Sequence, residues 1–353
     1  MTAEIIKTCC DVDTATLALP EHAAHCITVQ SCKNMHELVQ QTVEKLNAGI
    51  LSQFVFAGTQ HCTENFSGVW LQGDASKDGD IYSTQAVAIS GLLLTPVFIN
   101  GKETGFVYED SCARYCRLRG VIPADTGASR TEQTHSAFAV TEAALNSAGF
   151  RFTDIIRTWI YLDQLLEWYA DFNTARTQYF RDAGIFEHMV PASTGIGAAN
   201  QFDTAIMMDV LAVQPKSAEL KIQTVVSPLQ NPALDYKSSF SRAIEMNYPT
   251  HRELFISGTA SIDSAGKSVH QNDPEKQILL TLDVVRAILR SREMDWRNLF
   301  RGIAYFKDMS YLPLYEEIAE KAGIPRFPLA ISHADVCRDD LLFEIEVDAV
   351  KIN

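Results

Sequence analysis

Hydrophobic and polar positions follow two different periods along the chain. From Phe343 to Ala349 every second residue is apolar (Phe343, Ile345, Val347 and Ala349), and Glu344, Glu346 and Asp348 fill the gaps. A period of two marks a strand with one apolar and one polar face. Ile278, Leu282, Val285 and Leu289 recur instead at three- and four-residue steps, with Glu275, Lys276, Arg286 and Arg290 on the other side. That spacing predicts an amphipathic helix. Similar blocks along the chain give an order of strands, helix, strand, helix, strand, which is an α+β pattern with helices covering one face of a mixed sheet. The second face of such a sheet is left to solvent or to another subunit.

The pattern occurs twice. A shift of 144 residues places Gln133 on Gln277, and Leu145, Phe152, Ile155, Arg157 and Tyr161 then fall on Leu289, Trp296, Leu299, Arg301 and Tyr305 without a gap. Six matches in one ungapped stretch point to a duplicated unit. A strand ending in Gly precedes each copy, Phe54 to Gly58 and Leu254 to Gly258, at very different distances. The organisation expected is an N-terminal unit over 1–214 with an insertion at about 60–125, a linker at 215–232 marked by Pro215, Pro228 and Pro232, and a C-terminal unit over 233–353.

Composition narrows the classes. The 353 residues are 46% hydrophobic and 21% charged, an ordinary globular balance, and 44 acids against 30 Lys and Arg give a net charge of −14. A body this acidic repels phosphate backbones, which disfavours nucleic-acid partners. No apolar run has the length of a membrane span and the first residues lack a secretory pattern, so a cytoplasmic protein is expected. Seven of the eight cysteines fall in the first third, among His22, His25, His36 and His61. Their spacings lack the tight pairs of a structural zinc site, so reduced thiols, no metal and no cofactor are expected. The Asn65-Phe66-Ser67 sequon carries no weight in such a compartment.

Familiar motifs fail. Gly266-Lys267-Ser268 has Ser261 where a phosphate loop needs its first Gly, and Gly195-Ile196-Gly197 runs on into Ala198-Ala199-Asn200. Neither a GxSxG elbow nor an HExxH pair occurs.

Other segments resemble a known family. Leu254 to Ile262 (LFISGTASI), with Gly266, His270, Asp273 and Gln277 after it and Leu341 to Glu346 (LLFEIE) at the end, is similar to the YjgF/YER057c/UK114 (Rid) superfamily. Within it, Gln230-Asn231-Pro232, Phe240-Ser241-Arg242-Ala243 and Ala334 to Glu346, with Cys337 and Glu344 seven residues apart, look like the tandem-unit chorismatases. The resemblance implies two Rid-like units, trimer formation through the open sheet face, and small-molecule pockets in the clefts between units. It implies cleavage of the enolpyruvyl ether of chorismate to pyruvate and a cyclohexadiene or hydroxybenzoate acid. For the smaller Rid proteins it implies hydrolysis of enamines and imines. A non-catalytic small-molecule-binding protein remains the alternative outside enzymes.

Both reactions require a proton on an electron-rich carbon and water at its neighbour, a task suited to a carboxylic acid with a raised pKa. Glu344 carries over to the family's catalytic glutamate; the other reading is a solvated acidic stripe with Glu346 and Asp348. Cys337 lines the family pocket and influences the product, or is a small core thiol. Arg242 could clamp a carboxylate, or form a surface ion pair. Gly258 and Ala260 would allow close approach of a ligand to backbone, though Gly258 equally fits a bulge ending a strand, and Tyr305 could offer its hydroxyl or be a core aromatic. His270 and His333 are possible proton relays, though the more ordinary reading of each is a satisfied hydrogen-bonding histidine. Single-unit Rid proteins carry an Arg where this chain has Leu329; Arg326, three residues earlier, would need a loop shift to serve. The linker is also poor in the positive charge that a dianion requires. The partner expected is a small anionic metabolite, and the first copy, lacking the EIE ending, is expected to be a structural partner or half of a cleft.

Overall fold

The computed structural model describes residues 2–8, 12–30, 35–57, 68–72, 83–236 and 238–353. Cys9, Cys10, Cys32, Cys62, His61, the sequon at Asn65 and the strand-ending Gly58 lie outside them. Three six-stranded mixed sheets follow one another along the chain. The first holds β1 (Thr2–Thr8), β2 (Val12–Ala18), β3 (Ala23–Gln30), β4 (Ala48–Ala57), β5 (Val69–Gln72) and β6 (Ser83–Ser90), with helix α1 (Met35–Lys45) after β3. The second holds β7 (Thr95–Ile99), β8 (Lys102–Glu109), β9 (Ala113–Val121), β10 (Ile155–Leu162), β11 (Ala192–Gly197) and β12 (Ile206–Pro215), with α2 (Arg130–Ser147) and α3 (Leu165–Asp182). The third holds β13 (Lys221–Val225), β14 (Ala243–Asn247), β15 (His251–Ala260), β16 (Leu299–Phe306), β17 (Leu329–His333) and β18 (Phe343–Ile352), with α4 (Pro274–Ser291) and α5 (Leu312–Lys321).

All three sheets have one topology. The sixth strand of each lies between its third and fourth, and the fourth and fifth run parallel. The α+β Rid-like class expected from the sequence is therefore present, with three sheets where two units were expected. The stretch 60–125 is not one inserted block: β5 and β6 complete the first sheet, and β7, β8 and β9 open the second. The two strands matched as Gly-ending equivalents also differ in place. Phe54 lies in β4, a fourth strand, whereas Leu254 lies in β15, a third strand. Both are short apolar runs, and periodicity alone cannot tell such strands apart. The 144-residue shift does hold for α2 with α4 and β10 with β16. Gln133 and Gln277 play matching parts, each side chain bonding the loop before its helix and a backbone N–H, of Ala205 or Leu342, at the approach to the sixth strand.

Helices cover the outer face of each sheet through separate apolar clusters. The inner faces of all three sheets meet in one shared core that includes Phe54 and Phe56, Trp159 and Tyr161, and Ile303 and Tyr305. The face assigned above to solvent or another subunit is thus buried within the chain, where it cannot support a trimer of chains. The sheets also join edge to edge in a ring. Leu71 of the first bridges Asn200 of the second, Gly197 of the second bridges Asp335 of the third, and Ser83 Oγ of the first bonds Ile331 of the third.

A buried ion network lies among the inner faces. Glu346 accepts from Arg157 Nη2 at 2.8 Å, Arg301 Nη2 at 2.5 Å and Trp159 Nε1 at 2.8 Å. Arg301 also reaches Asp348 at 2.8 Å and Gln85 of the first sheet at 2.7 Å. Breaking a buried pair by removing one partner leaves a charge without compensation, at a cost of about 3–5 kcal/mol. Arg301→Met should therefore lower unfolding free energy by about 3 kcal/mol or more, measured by urea denaturation. The loss should be smaller at pH 5, where the orphaned carboxylates more readily accept protons; a loss under about 0.5 kcal/mol at pH 8 would show that the network does not hold the sheets together.

Candidate active site

The site begins with the alternation on β18. Its apolar residues face the helices, and Glu344, Glu346 and Asp348 face the inter-sheet core, each less than a tenth exposed. The acidic stripe is therefore buried rather than solvated, and its members are not equivalent. Burial would raise the Glu346 carboxyl, but Arg157 and Arg301 hold it below the ordinary range. Among the described residues, Glu344 lacks the two direct arginine bonds that Glu346 accepts. Burial, reinforced by the charge of Glu346, pushes it up to about 8 against the partial opposition of Arg157 and Arg242. One strand thus carries a protonated acid beside a fixed carboxylate, a separation of roles suited to proton transfer.

Glu344 opens into a cleft at the junction of the second and third sheets. Arg242, Gly258, Ala260, Cys337 and Arg338 line it from the third sheet's side, and Tyr169, Arg176, Ser193 and Gly195 from the second's. Two sheets approach this closely because backbone meets backbone. Gly197 N donates to Asp335 O at 2.8 Å, and a Cβ on Gly197 would come within 2.7 Å of Asp335 Cβ. Ser193 N donates to Ser257 Oγ at 2.9 Å, and Gly258 N to Thr194 Oγ1 at 3.1 Å. Gly258 is also required by the acid itself, because a Cβ there would overlap Glu344 Oε1.

Five of the residues expected from the sequence, Glu344, Cys337, Arg242, Gly258 and Ala260, line this one cleft. Arg242 donates through Nε and Nη2 to Asn231 O, both at 3.1 Å, so it is held by the linker rather than placed in a surface ion pair. Burial, then the nearby Glu344, pushes the Cys337 thiol up to about 12, which keeps it neutral and removes it as a thiolate nucleophile. Tyr305 lies elsewhere, fully buried in the shared core with its hydroxyl 3.4 Å from that of its repeat partner Tyr161. Arg326 also lies elsewhere: it is half exposed and paired with Asp13 of the first sheet at 2.6 Å, because the loop before β17 faces that sheet. His333 bonds Lys307 O, and His270 sits at a turn with φ of 60°.

The sequence reading missed Arg176, Tyr169 and Arg338. Arg176 is 2% exposed and follows Phe172 and precedes Phe180 by four residues on the buried stripe of α3. An arginine inside an apolar helical stripe was the available signal. The positive charge lacking in the linker is thus supplied across the sheet junction. The cleft itself holds about 40 Å³, and a neighbouring cavity of about 270 Å³ shares Phe240 and Arg242 with it. Those two side chains form the wall between the spaces.

The corresponding positions in the other sheets carry no such acid. The strand registers place Met207 and Ser83 where β18 has Glu344. Met207 is buried in the shared core, and the Ser83 hydroxyl is consumed by Ile331. Of the three junctions, one bears the acid.

With this geometry, the fold is of the Rid-like, chorismatase type. A crystal structure of a chorismatase aligns with a TM-score of 0.66 over 85% of this chain and 92% of its own, at 21% identity. In sequence the chain is similar to a 3-hydroxybenzoate synthase from Streptomyces hygroscopicus, 25% identical over 274 residues, 70% of this chain and 77% of that protein. It is also similar to a chorismatase from the same organism, 27% identical over 239 residues, 59% of this chain and 67% of the relative. No family model matches the chain. No helix of the described residues is long and apolar enough to cross a membrane.

Because the folded state keeps a proton on Glu344 up to about pH 8, that residue's contribution to stability falls as pH rises from the ordinary carboxylate range through 8. Glu344→Gln should match wild type near pH 4.5 and become the more stable protein by pH 9, by a few kcal/mol, in paired urea titrations. A difference that does not change with pH would place the Glu344 carboxyl in solvent.

Proposed function

We propose that this protein cleaves the enolpyruvyl ether of chorismate or a close analogue, releasing pyruvate. The observation that carries the reading is the raised, core-facing carboxyl of Glu344 in a cleft walled by Arg176, Arg242 and Arg338. The chorismatase and 3-hydroxybenzoate synthase relatives support the choice of substrate.

Protonated Glu344 gives its proton to the terminal methylene carbon of the enol ether, and positive charge develops on the adjacent ether-bearing carbon. Glu346, held as a carboxylate, lies on the same strand face and favours that charge. Water adds to the cationic carbon, and the resulting hemiketal breaks its bond to the ring oxygen. Pyruvate leaves with the former enol carbons, the ring keeps its hydroxyl, and the proton released from the added water restores Glu344. Arginines from both sides match the two carboxylates of the substrate, Arg176 from the second sheet and Arg242 and Arg338 from the third. The 40 Å³ space accommodates the reacting atoms. The ring requires the adjoining 270 Å³ cavity, so Phe240 and Arg242 must move aside as substrate enters. Neutral Cys337 borders the acid and is placed to shape the ring product.

Incubation with chorismate and enzymatic detection of pyruvate tests the reading. Turnover should fall as pH rises above about 8, as Glu344 loses its proton. Glu344→Gln should lower kcat by about 10²-fold or more while the fold is kept, and Arg176→Met should act mainly on KM. Absence of pyruvate, combined with ammonia release from freshly generated imino acids, would overturn the proposal in favour of a Rid-type deaminase. Inertness toward both substrates would favour a binding protein.

A further inference from the structure

A second cavity, of about 120 Å³, lies away from the Glu344 cleft where the three sheets converge. The strand registers show that equivalent positions of all three sheets meet in its wall. Val87, Leu211 and Asp348 form one such set, and Ala24, Tyr115 and Glu253 another. A space built this way lies on the common axis of the three repeats, so a chain has one of it.

Its chemistry is layered. The floor is the ion network, where Arg117 stacks on Trp159 at 3.9 Å and Arg301 is paired with Glu346 and Asp348. Among the described residues, Arg117 Nε and Asp348 Oδ1 are buried polar atoms without a hydrogen-bond partner; both side chains line the space, and that of Arg117 is more than nine-tenths buried. The middle is apolar and aromatic, with Leu17, Leu51, Tyr108, Met246 and Phe255. His22, Asp110 and Glu253 stand at the partly exposed end. Burial lowers the His22 pKa despite the acids beside it, which disfavours a positive charge on the imidazole. Asp110 is fixed by Tyr115 Oη at 3.0 Å and by two backbone N–H groups, and Glu253 by His251 at 3.1 Å.

We propose that this cavity is a binding site for a small aralkyl ammonium ion, with its ring in the aromatic middle and its ammonium between Asp110 and Glu253. The volume suits one six-membered ring, since a cavity of about 150 Å³ takes up benzene. Acids at the mouth favour a cation and oppose an anion, which separates this site from the arginine-walled cleft at Glu344. The aromatic walls add attraction for a cation held above them.

Isothermal titration calorimetry of the full chain with phenethylammonium and with 3-phenylpropionate tests the assignment. Phenethylammonium should bind once per chain, about tenfold or more tightly than 3-phenylpropionate. Ala24→Phe, which fills the space, should abolish that binding, and Glu253→Gln should weaken it about tenfold. The second variant keeps the test decisive if Ala24→Phe fails to fold. Equal or tighter binding of the anion, no heat with either probe at millimolar concentration, or binding that survives both variants would overturn the proposal. Displacement of phenethylammonium by chorismate would do the same by placing it in the Glu344 cleft.

Discussion

The pairing of Glu346 with Arg157 and Arg301 is the constraint on which the other features depend. It puts full charges between three sheets, where they persist only because each has several partners. Arg157 comes from the second sheet and Arg301 from the third, and Gln85 of the first sheet accepts from Arg301. The network therefore ties all three inner faces in one relative placement. It also accounts for the state of Glu344 two residues away on the same face. The arginines are spent on Glu346, and its fixed negative charge adds to burial in keeping the next carboxyl protonated.

The three-sheet ring explains why one chain carries one such cleft. Topology and register are repeated, but the residues at the equivalent points have diverged: Glu344, Met207 and Ser83 in one set, and Arg301, Arg157 and Ser52 in another. Each sheet has kept its shape for packing, and one junction has kept an ionisable group that faces a cavity. At the Ser83 position, hydrogen bonds to Ile331 close the sheets together; at Met207, apolar packing does the same. The cleft at Glu344 stays open because Gly258, a residue without a side chain, faces the acid.

Much of this was legible in residues that repeat or alternate. Gln133 with Gln277 and Tyr161 with Tyr305 revealed a duplicated unit because each pair keeps the same structural task. The alternation from Phe343 to Ala349 identified the strand that carries the acid. The first sheet escaped detection because its central polar positions are Ser52 and Gln85, with no Arg or acid to match. An apolar strand such as Phe54–Ala57 also has no feature that fixes its order in a sheet. Expecting two units instead of three made an inner sheet face look unpartnered and open to the trimer contact that the family resemblance implied. Arg176 was missed for a related reason: its role depends on a junction between sheets, which no local pattern records. Tyr305 and Arg326 show the converse, since residues near the site in sequence were drawn to the shared core and to Asp13 by packing.

The central claim is that one core-facing carboxyl remains protonated at neutral pH beside another that remains charged. Infrared difference spectra between wild type and Glu344→Gln, recorded from pH 5 to pH 9, read that state directly. The account predicts a carboxylic-acid carbonyl band that persists at pH 7 and converts to carboxylate near pH 8. A band already converted at pH 5, the behaviour of an ordinary solvated glutamate, would contradict it.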